Sequence, residues 1–244
     1  MRIFANHLDS IKELLREIRE LSITVPISHY QDRWVKDNKD YYTKELIGYC
    51  YKVSCANLQL DEMVRFLYPG KDGDDILAYC ALELKDRLSG DSKNPGEAHK
   101  SRYSLWEEFL EDKQKFSYTY SERINDPALE KNQLQTVIDE LRTSPDSRQG
   151  IIQIYNYLYD AKNIGGKHRI PCSLFYQFLV RNKKLHGIYV MRSNDLLTHF
   201  VVDVWIACHI QMYIAEQLEI KVGSYTHFAS SLHCYLKDIP KFVF

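Results

Sequence analysis

The chain has 244 residues, of which 45% are hydrophobic and 27% are charged, a composition that is typical of a folded globular protein and excludes an intrinsically disordered one. Its 32 lysine and arginine residues are balanced by 33 aspartate and glutamate residues, so the net charge of -1 argues against a broad cationic surface for nucleic acid. No apolar run approaches the roughly 20 residues of a membrane span, and the N-terminal residues lack the apolar region of a secretion signal, so we expect a cytoplasmic protein with reduced cysteines.

The first half of the chain alternates helical and extended patterns. We interpret residues 1–40 as a helical N-terminal extension, because apolar residues recur there at helical spacing. The polar stretch 89–101 predicts a loop. In chain order, the predicted elements of this half are a helix at 9–21, a strand at 43–54, and helices at 60–67 and 75–88.

The second half contains most of the predicted strands. The long and mostly apolar helix near its end should lie in the centre of the fold. Irregular alternation of helices and strands predicts an α/β protein, with α+β layers around one core, and a single domain over residues 1–244. The predicted elements of this half are helices at 104–110 and 127–143, strands at 150–158, 174–180 and 185–191, a helix at 204–218 and a strand at 226–235.

Three short polar stretches carry the candidate chemistry: residues 145–148 (PDSR), 170–173 (IPCS) and 191–195 (MRSND). A cysteine becomes a nucleophile when neighbouring cations lower its pKa. Arg148 and Arg192 could supply such a field for Cys172, and they could equally bind a phosphate. A structural turn around a small buried Cys172 is the alternative interpretation. Together, the stretches indicate a thiolate that works beside a phosphate ester.

The spacing of these stretches resembles that of the thymidylate synthase superfamily, and within it the deoxycytidylate hydroxymethylases. Pro171-Cys172 precedes a strand, a polar turn and a second strand. The R-S-x-D motif of the family follows as Arg192-Ser193-Asn194-Asp195, 20 residues after the cysteine. The other matching positions are Glu83, Trp106, Tyr120, the D-S-R of residues 146–148 and the H-x-Y of residues 233–235. The resemblance implies a central mixed sheet packed against helices.

The resemblance also implies a reaction. Cys172 would add to C6 of a pyrimidine nucleoside monophosphate, and C5 would take the one-carbon unit of 5,10-methylenetetrahydrofolate, while Glu83 and Tyr120 serve the proton transfers. The family acts as a symmetric homodimer and needs no metal. By the same resemblance the nucleotide would be bound by Arg192, Ser193, Asp203, His233, Tyr235 and, from the second subunit, Arg148, and the folate would be bound by Trp106 and Asp195.

One position separates cytosine from uracil. Eight residues after the aspartate of R-S-x-D, the synthases have an asparagine that pairs with uracil, and the deoxycytidylate hydroxymethylases have an aspartate. Here that residue is Asp203. A carboxyl group can accept the cytosine amino hydrogen and share one proton with N3. We therefore expect 5-hydroxymethylation of dCMP or CMP. The alternative role for Asp203 is an N-cap of the helix that begins near Val204.

Several positions depart from the family pattern. Ser173 stands where the synthases usually have histidine, Gln149 replaces the second arginine of D-S-R-R, and His199 stands where glycine is usual. Only nine residues follow Tyr235, so we expect another segment, such as 89–101, to cover the folate. Three other functions stay open: methylation of dUMP or UMP, nucleotide binding without catalysis, and a thiol hydrolase.

Overall fold

A mixed β-sheet lies at the centre of the protein. The computed structural model describes residues 1–30, 33–102, 106–111, 114–165 and 168–241. Its strands are β1 Arg2–Phe4, β2 Ile23–Val25, β3 His29–Tyr30, β4 Arg33–Trp34, β5 Thr43–Val53, β6 Ile151–Gln153, β7 Ser173–Arg181, β8 Lys184–Met191, β9 Asn194–Asp195 and β10 Lys221–Tyr235. The sheet runs in the order β1-β5-β10-β8-β7-β6, with β2 added to β5 and β9 added to β10. β10 is antiparallel to β5 and parallel to β8, which confirms the expected mixed sheet.

A long helix covers one face of this sheet. The helices are α1 His7–Leu21, α2 Leu60–Leu67, α3 Lys71–Leu88, α4 Ala98–Ser101, α5 Tyr120–Ile124, α6 Gln133–Thr143, α7 Tyr157–Asp160 and α8 Phe200–Gln217. Helix α8 is apolar and buried on nearly all sides, and it packs between the sheet and α3. This arrangement confirms the expected α/β fold and the central place of the last long helix. The candidate active-site residues come from α3, from the ends of β7 and β8, and from the first turn of α8.

The N-terminal segment joins the sheet. Strand β1 pairs in parallel with β5, and β2 pairs with it in the opposite direction. Among the described residues of 1–40, α1 is the one α-helix; Asn6 caps this helix by accepting the N–H of Asp9 at 2.8 Å. The short strands escaped prediction because three residues at a sheet edge carry too little period-two pattern.

Three other predicted elements have different bounds. The helix expected at 75–88 already begins at Lys71, so Gly73 lies inside it; a Cβ there would come within 2.3 Å of the Tyr68 carbonyl oxygen. The helix expected at 127–143 begins only at Gln133, and the strand expected at 150–158 ends at Gln153, where a turn and α7 follow. Residues 104–105 of the helix expected at 104–110 lie outside the described residues, and Glu107–Phe109 form a 3₁₀ turn.

Candidate active site

The hairpin of β7 and β8 places the cysteine beside the arginine. Its two-residue turn, 182–183, has φ values of 51° and 56°, the left-handed conformation that a type I′ turn requires. The register from this turn pairs Ser173 with Met191 at the far end of the hairpin. Cys172 and Arg192 therefore leave the two strands side by side, and the Arg192 N–H donates to the Cys172 carbonyl oxygen at 2.9 Å. The 20-residue spacing in the sequence is the length of this hairpin.

Two opposing effects act on the Cys172 thiol. Burial raises the pKa of the thiol, and the guanidinium groups of Arg192 and Arg169 lower it. Arg192 Nη2 lies 3.6 Å from Sγ, and the guanidinium is oriented because it donates to the carbonyl oxygens of Pro171 at 2.9 Å and Ile170 at 3.1 Å. Because burial is the larger effect, the pKa is raised overall, and the free protein holds a thiol near neutral pH.

Arg169 is a candidate site residue that the sequence analysis missed. Its guanidinium carbon lies 4.2 Å from the ring centre of Phe109 and 5.8 Å from that of Trp106, and its charge acts on Cys172. The available signal was its position three residues before the cysteine. That segment is neither helix nor strand, so no periodicity indicates where the side chain lies.

Buried hydroxyl groups lie directly behind the cysteine. Ser173 Oγ donates to the Tyr120 hydroxyl at 2.9 Å, and it also shares a hydrogen bond with the Tyr189 hydroxyl. The rings of Tyr176 and Tyr189 stack at 4.4 Å. Ser173, which departs from the usual histidine, is therefore a small polar link that connects the predicted Tyr120 to β7 and β8.

Glu83 has a direct cationic partner that sequence reasoning also missed. Arg87 Nε donates to Glu83 Oε1 at 2.9 Å across one turn of α3. The same guanidinium donates to the Tyr176 hydroxyl at 3.1 Å and lies 4.3 Å from the ring centre of Tyr120. The i,i+4 spacing of the two residues predicts a helix-surface ion pair, but only the fold shows that this pair is turned into the site.

Asp203 is not a helix cap. Helix α8 begins at Phe200, so Asp203 lies within its first turn, and the cap position belongs to His199, whose side chain makes no capping hydrogen bond. The Asp203 carboxylate instead accepts from Asn194 Nδ2 at 3.1 Å. Burial raises the pKa of Asp203 to about 7, although the charge of Arg87 and the bond from Asn194 lower it. The capping alternative is therefore wrong, and the carboxyl can carry or release a proton near neutral pH.

A wall of aromatic and cationic side chains lies beside the cysteine. It consists of Tyr79, Arg102, Trp106, Arg169 and His199. The ring of Trp106 lies 5.8 Å from that of His199 and stacks on Tyr79 at 6.5 Å. Burial, followed by the charges of Arg102 and Arg169, lowers the pKa of His199 to about 3, so its ring is neutral. Residues from the loop before α5 and from the start of α8 thus meet here.

Asp195 lies at the turn that leads into α8. Its Oδ1 accepts from the backbone N–H groups of Leu197 at 3.1 Å and Thr198 at 3.3 Å, and burial raises the pKa of Asp195 to about 6. Strand pairing places Asp195 opposite His233, which is 8% exposed and lies edge-on to the ring of Tyr235 at 5.4 Å. The aspartate predicted to bind folate and the two residues predicted to bind the nucleotide, His233 and Tyr235, are therefore neighbours on β9 and β10.

Two predicted phosphate-binding residues, Ser193 and Arg148, are partly or fully exposed to solvent. Ser193 follows Arg192 and is half-buried, whereas Arg148 is exposed in the loop between α6 and β6. In the part of the chain that the structure describes, the Arg148 guanidinium forms no ion pair. Its location gives it no contact with Cys172 in the same subunit.

Comparison with known proteins identifies the family. The sequence pattern of the family described as "Thymidylate synthase" matches residues 77–243. The chain belongs to the thymidylate synthase family. Its fold superimposes on the thermostable thymidylate synthase A from Bacillus subtilis with a TM-score of 0.71 at 16% identity, covering 96% of this chain and 82% of that one.

Two relatives show how the family match is distributed. Over 125 residues the chain is 34% identical to a protein of Methanocaldococcus jannaschii named "Putative thymidylate synthase", which covers 50% of this chain and 56% of the relative. Over 108 residues it is 39% identical to a "Deoxyuridylate hydroxymethyltransferase" of Bacillus phage SP01, which covers 44% of this chain and 28% of the relative. The chain thus spans about half the length, or less, of the curated relatives that it matches.

The thymidylate synthase fold brings the main predicted residues of this chain into one cluster around the cysteine. Electrostatic coupling links Cys172 with Arg192, Asp195 and Asp203, and Tyr120 with Cys172 and Asp203. Across the described ranges, no group of three or more histidine, cysteine, aspartate or glutamate residues could hold a metal ion. Over those same ranges, no helix is long and apolar enough to span a lipid bilayer.

Proposed function

We propose that this protein transfers a one-carbon unit from 5,10-methylenetetrahydrofolate to C5 of a cytidine monophosphate, dCMP or CMP, and releases the 5-hydroxymethyl product. The observation that carries the proposal is the carboxyl of Asp203. It is half-buried, it does not cap its helix, and desolvation raises its pKa to about 7. Such a group can accept the cytosine amino hydrogen and share a proton with N3, whereas an amide suits uracil.

The nucleophile in this proposal is Cys172. Its sulfur forms a bond to C6 of the base, which makes C5 an enamine-like carbon that can attack the one-carbon unit. Glu83 receives protons from the ring, with Tyr120 and its hydrogen bond to Ser173 beside it. C5 would then lose its proton to Glu83 as tetrahydrofolate leaves with the electron pair of its bond to the methylene carbon, which gives an exocyclic methylene at C5. Water would add to that methylene carbon, the C5=C6 bond would re-form, and the C6–S bond would break with its electron pair returning to Cys172.

The wall beside the cysteine suits a folate. Trp106 Nε1 and Arg102 Nη1 are buried polar atoms without hydrogen-bond partners in the described part of the chain. A flat aromatic ligand that carries carboxylates would satisfy such donors, with Arg169 as a second cation. The folate would supply the one-carbon unit when bound there, and Trp106 and Asp195 would orient it.

The phosphate site would be completed by a second copy of the chain. Arg192 and Ser193 would bind the phosphate from within the subunit. A single arginine compensates only one of the two negative charges of the phosphate. Exposed Arg148 could reach a neighbouring subunit in a symmetric homodimer. The sheet face opposite α8 supports this assembly, because one cross-strand row on it is apolar: Phe175, Val190, Phe228 and Cys50.

A uridylate substrate is the second candidate. The relative from Bacillus phage SP01 is named for deoxyuridylate hydroxymethylation, and methylation of dUMP or UMP would use the same cysteine chemistry. Asp203 favours cytosine over uracil in either reaction. A carboxylate repels the uracil O4, and only a protonated Asp203 can donate a hydrogen bond to that oxygen.

The test is incubation of the protein with methylenetetrahydrofolate and, separately, dCMP, CMP, dUMP and UMP, with the product mass as readout. Hydroxymethylation adds CH₂O and methylation adds CH₂. The Cys172→Ser variant serves as the inactive control. Products only from the uridylates, or a gain of CH₂ alone, would overturn the proposal.

A further inference from the structure

Arg87 is a buried arginine in the middle of the candidate site. Its side chain is only 5% exposed, and burying a guanidinium is costly unless its donors are paired. It contacts three neighbours: Glu83 at 2.9 Å, the Tyr176 hydroxyl at 3.1 Å and the Tyr120 ring at 4.3 Å. Nothing in the reaction described above requires this charge.

We propose that Arg87 is a positioning residue that holds Glu83 as the carboxylate base and leaves Asp203 as the carboxyl that carries a proton. The inference rests on the proposed cytidylate chemistry, in which two acidic side chains of one site must take opposite roles. Two carboxyls in different environments commonly divide acid and base work in this way.

The Glu83 side of the proposal stands on a direct ion pair. Arg87 donates to Oε1, and both residues are fixed on α3 one turn apart. In the described ranges Oε2 has no hydrogen-bond partner from the protein. Glu83 can therefore accept a proton through this oxygen, directly or through water, while Arg87 keeps the carboxylate in place.

Asp203 lies near the same arginine but has no ion pair within the residues that the structure describes. Its hydrogen bond comes from the neutral amide of Asn194 at 3.1 Å. The charge of Arg87 lowers the pKa of Asp203, and burial outweighs it. The titratable and charged groups that act on Asp203, or on which it acts, are Cys80, Glu83, Arg87, Tyr118, Tyr120, Cys172, Tyr176, Tyr189, Asp195 and Tyr225.

With Asp203 as proton donor and Glu83 as proton acceptor, every proton in the first steps of the reaction has a source and a destination. As the Cys172 sulfur bonds to C6 and its thiol proton passes to water, the C5=C6 electron pair moves to form C4=C5, and the C4=N3 pair moves onto N3. N3 then takes the proton from Asp203, which becomes a carboxylate. Later, Glu83 accepts the proton that leaves C5. If Arg87 bound Asp203 directly instead, Asp203 would have no proton to give.

The first experiment measures the Asp203 titration without turnover. The protein is labelled with ¹³C at the aspartate carboxyls, and the NMR shift is followed from about pH 4 to 9, with Asp203→Asn to assign the signal. We expect the Arg87→Met midpoint to lie about one pH unit above that of the unmodified protein, because an attractive charge is removed. Arg87→Lys keeps the positive charge, so its Asp203 midpoint should lie close to that of the unmodified protein.

Arg123→Met is the matched control, because Arg123 is also a largely enclosed arginine in an ion pair, with Asp160 at 2.6 Å. It should leave the Asp203 midpoint unchanged. An Asp203 midpoint that stays in place or falls in Arg87→Met would overturn the proposal. If Arg87→Met does not fold, Arg87→Gln takes its place, because it keeps a hydrogen-bond donor and removes the charge: its Asp203 midpoint should rise, and an unchanged or lowered midpoint contradicts the proposal.

Turnover gives the second readout. With the preferred cytidylate, Arg87→Met should lower kcat at least about tenfold, leave the nucleotide KM within about threefold, and move the basic limb of the pH profile upward with the Asp203 midpoint. A change in KM alone would indicate a merely structural role. If none of the four nucleotides is converted, the proposed function fails, while the NMR titration still judges the coupling of Arg87 to Asp203.

Discussion

Replacing Asp203 by asparagine separates its role in base recognition from any role in stability. The substitution keeps the size of the side chain and exchanges the carboxyl for the amide that suits uracil. A mispaired buried polar group costs about 1–3 kcal/mol, so the ratio of kcat/KM for cytidylate over uridylate should fall roughly ten- to a hundredfold.

The same variant should be more stable than the unmodified protein. Burial raises the pKa of Asp203 from 3.8 to about 7, so its charged form is disfavoured in the fold. This penalty is absent below the pKa of the unfolded chain and grows as the pH rises through the folded pKa. It amounts to up to about 4 kcal/mol, or about half of that when partial solvent access is allowed for, so Asp203→Asn should raise the Tm by about 4–8 °C.

The assay combines both measurements on one protein preparation: kcat/KM for CMP, dCMP, UMP and dUMP, and the Tm at about pH 8. The control is Asp86→Asn, which replaces a buried aspartate that accepts from Lys93 and from the Ala98 N–H. That control should lower the Tm and leave base preference unchanged. Equal loss of activity on both bases, together with a lower Tm for Asp203→Asn, would refute the reasoning.

Three further predictions concern the nucleophile, the subunit contact and the core. Cys172→Ser should reduce turnover at least about a thousandfold while calorimetry finds nucleotide binding within about threefold, since phosphate and base contacts come from other residues; turnover of several per cent would exclude the cysteine as nucleophile. Arg148→Ala and Cys172→Ala proteins should each be inactive alone. After subunit exchange, half of the dimers contain one intact site of two, so the mixture should recover about a quarter of full activity. No recovery after proven exchange would place Arg148 outside the partner's site. His7 and His227 are buried, and burial lowers their pKa values to about 4 and about 3. Their neutral rings are therefore fully compatible with the fold above about pH 6.5, and the Tm should fall as the pH drops below that value. His227→Gln should make the dependence of Tm on pH less steep, and an unchanged dependence would contradict this prediction.

Local pattern predicted the parts of the fold that depend on local chain geometry. The β7–β8 hairpin follows from two runs of strand-forming residues and a polar turn, and the pairing of Cys172 with Arg192 follows from its length. Helix α2 was predicted at its observed bounds, Leu60–Leu67, because its apolar face is regular. The start of α8 was placed four residues too late, and this error alone made Asp203 look like an N-cap.

The remaining parts of the site depend on contacts between distant segments. Arg87 and Arg169 carry no motif, and their importance lies in what they face: Glu83 and Tyr176 for the first, Phe109 and Cys172 for the second. A lone arginine on a helix is most often a solvated surface residue, so sequence alone gives no reason to select it. Only packing of α3 and of the segment before β7 against the sheet brings the Arg169 guanidinium close enough to act on Cys172 and the Arg87 guanidinium to the Tyr176 hydroxyl.

Burial acts against the ionised form of several groups that face the same space. It raises the pKa of Cys172, of Asp195 to about 6 and of Asp203 to about 7, and in each case it is the largest effect. A chain selected for stability alone would place apolar or amide side chains there, because buried ionisable groups are costly. Such costs concentrate where a reaction needs groups that change protonation near neutral pH. A nucleotide and a folate would close this space from solvent, and the groups that burial holds neutral would then be ready to exchange protons with the base.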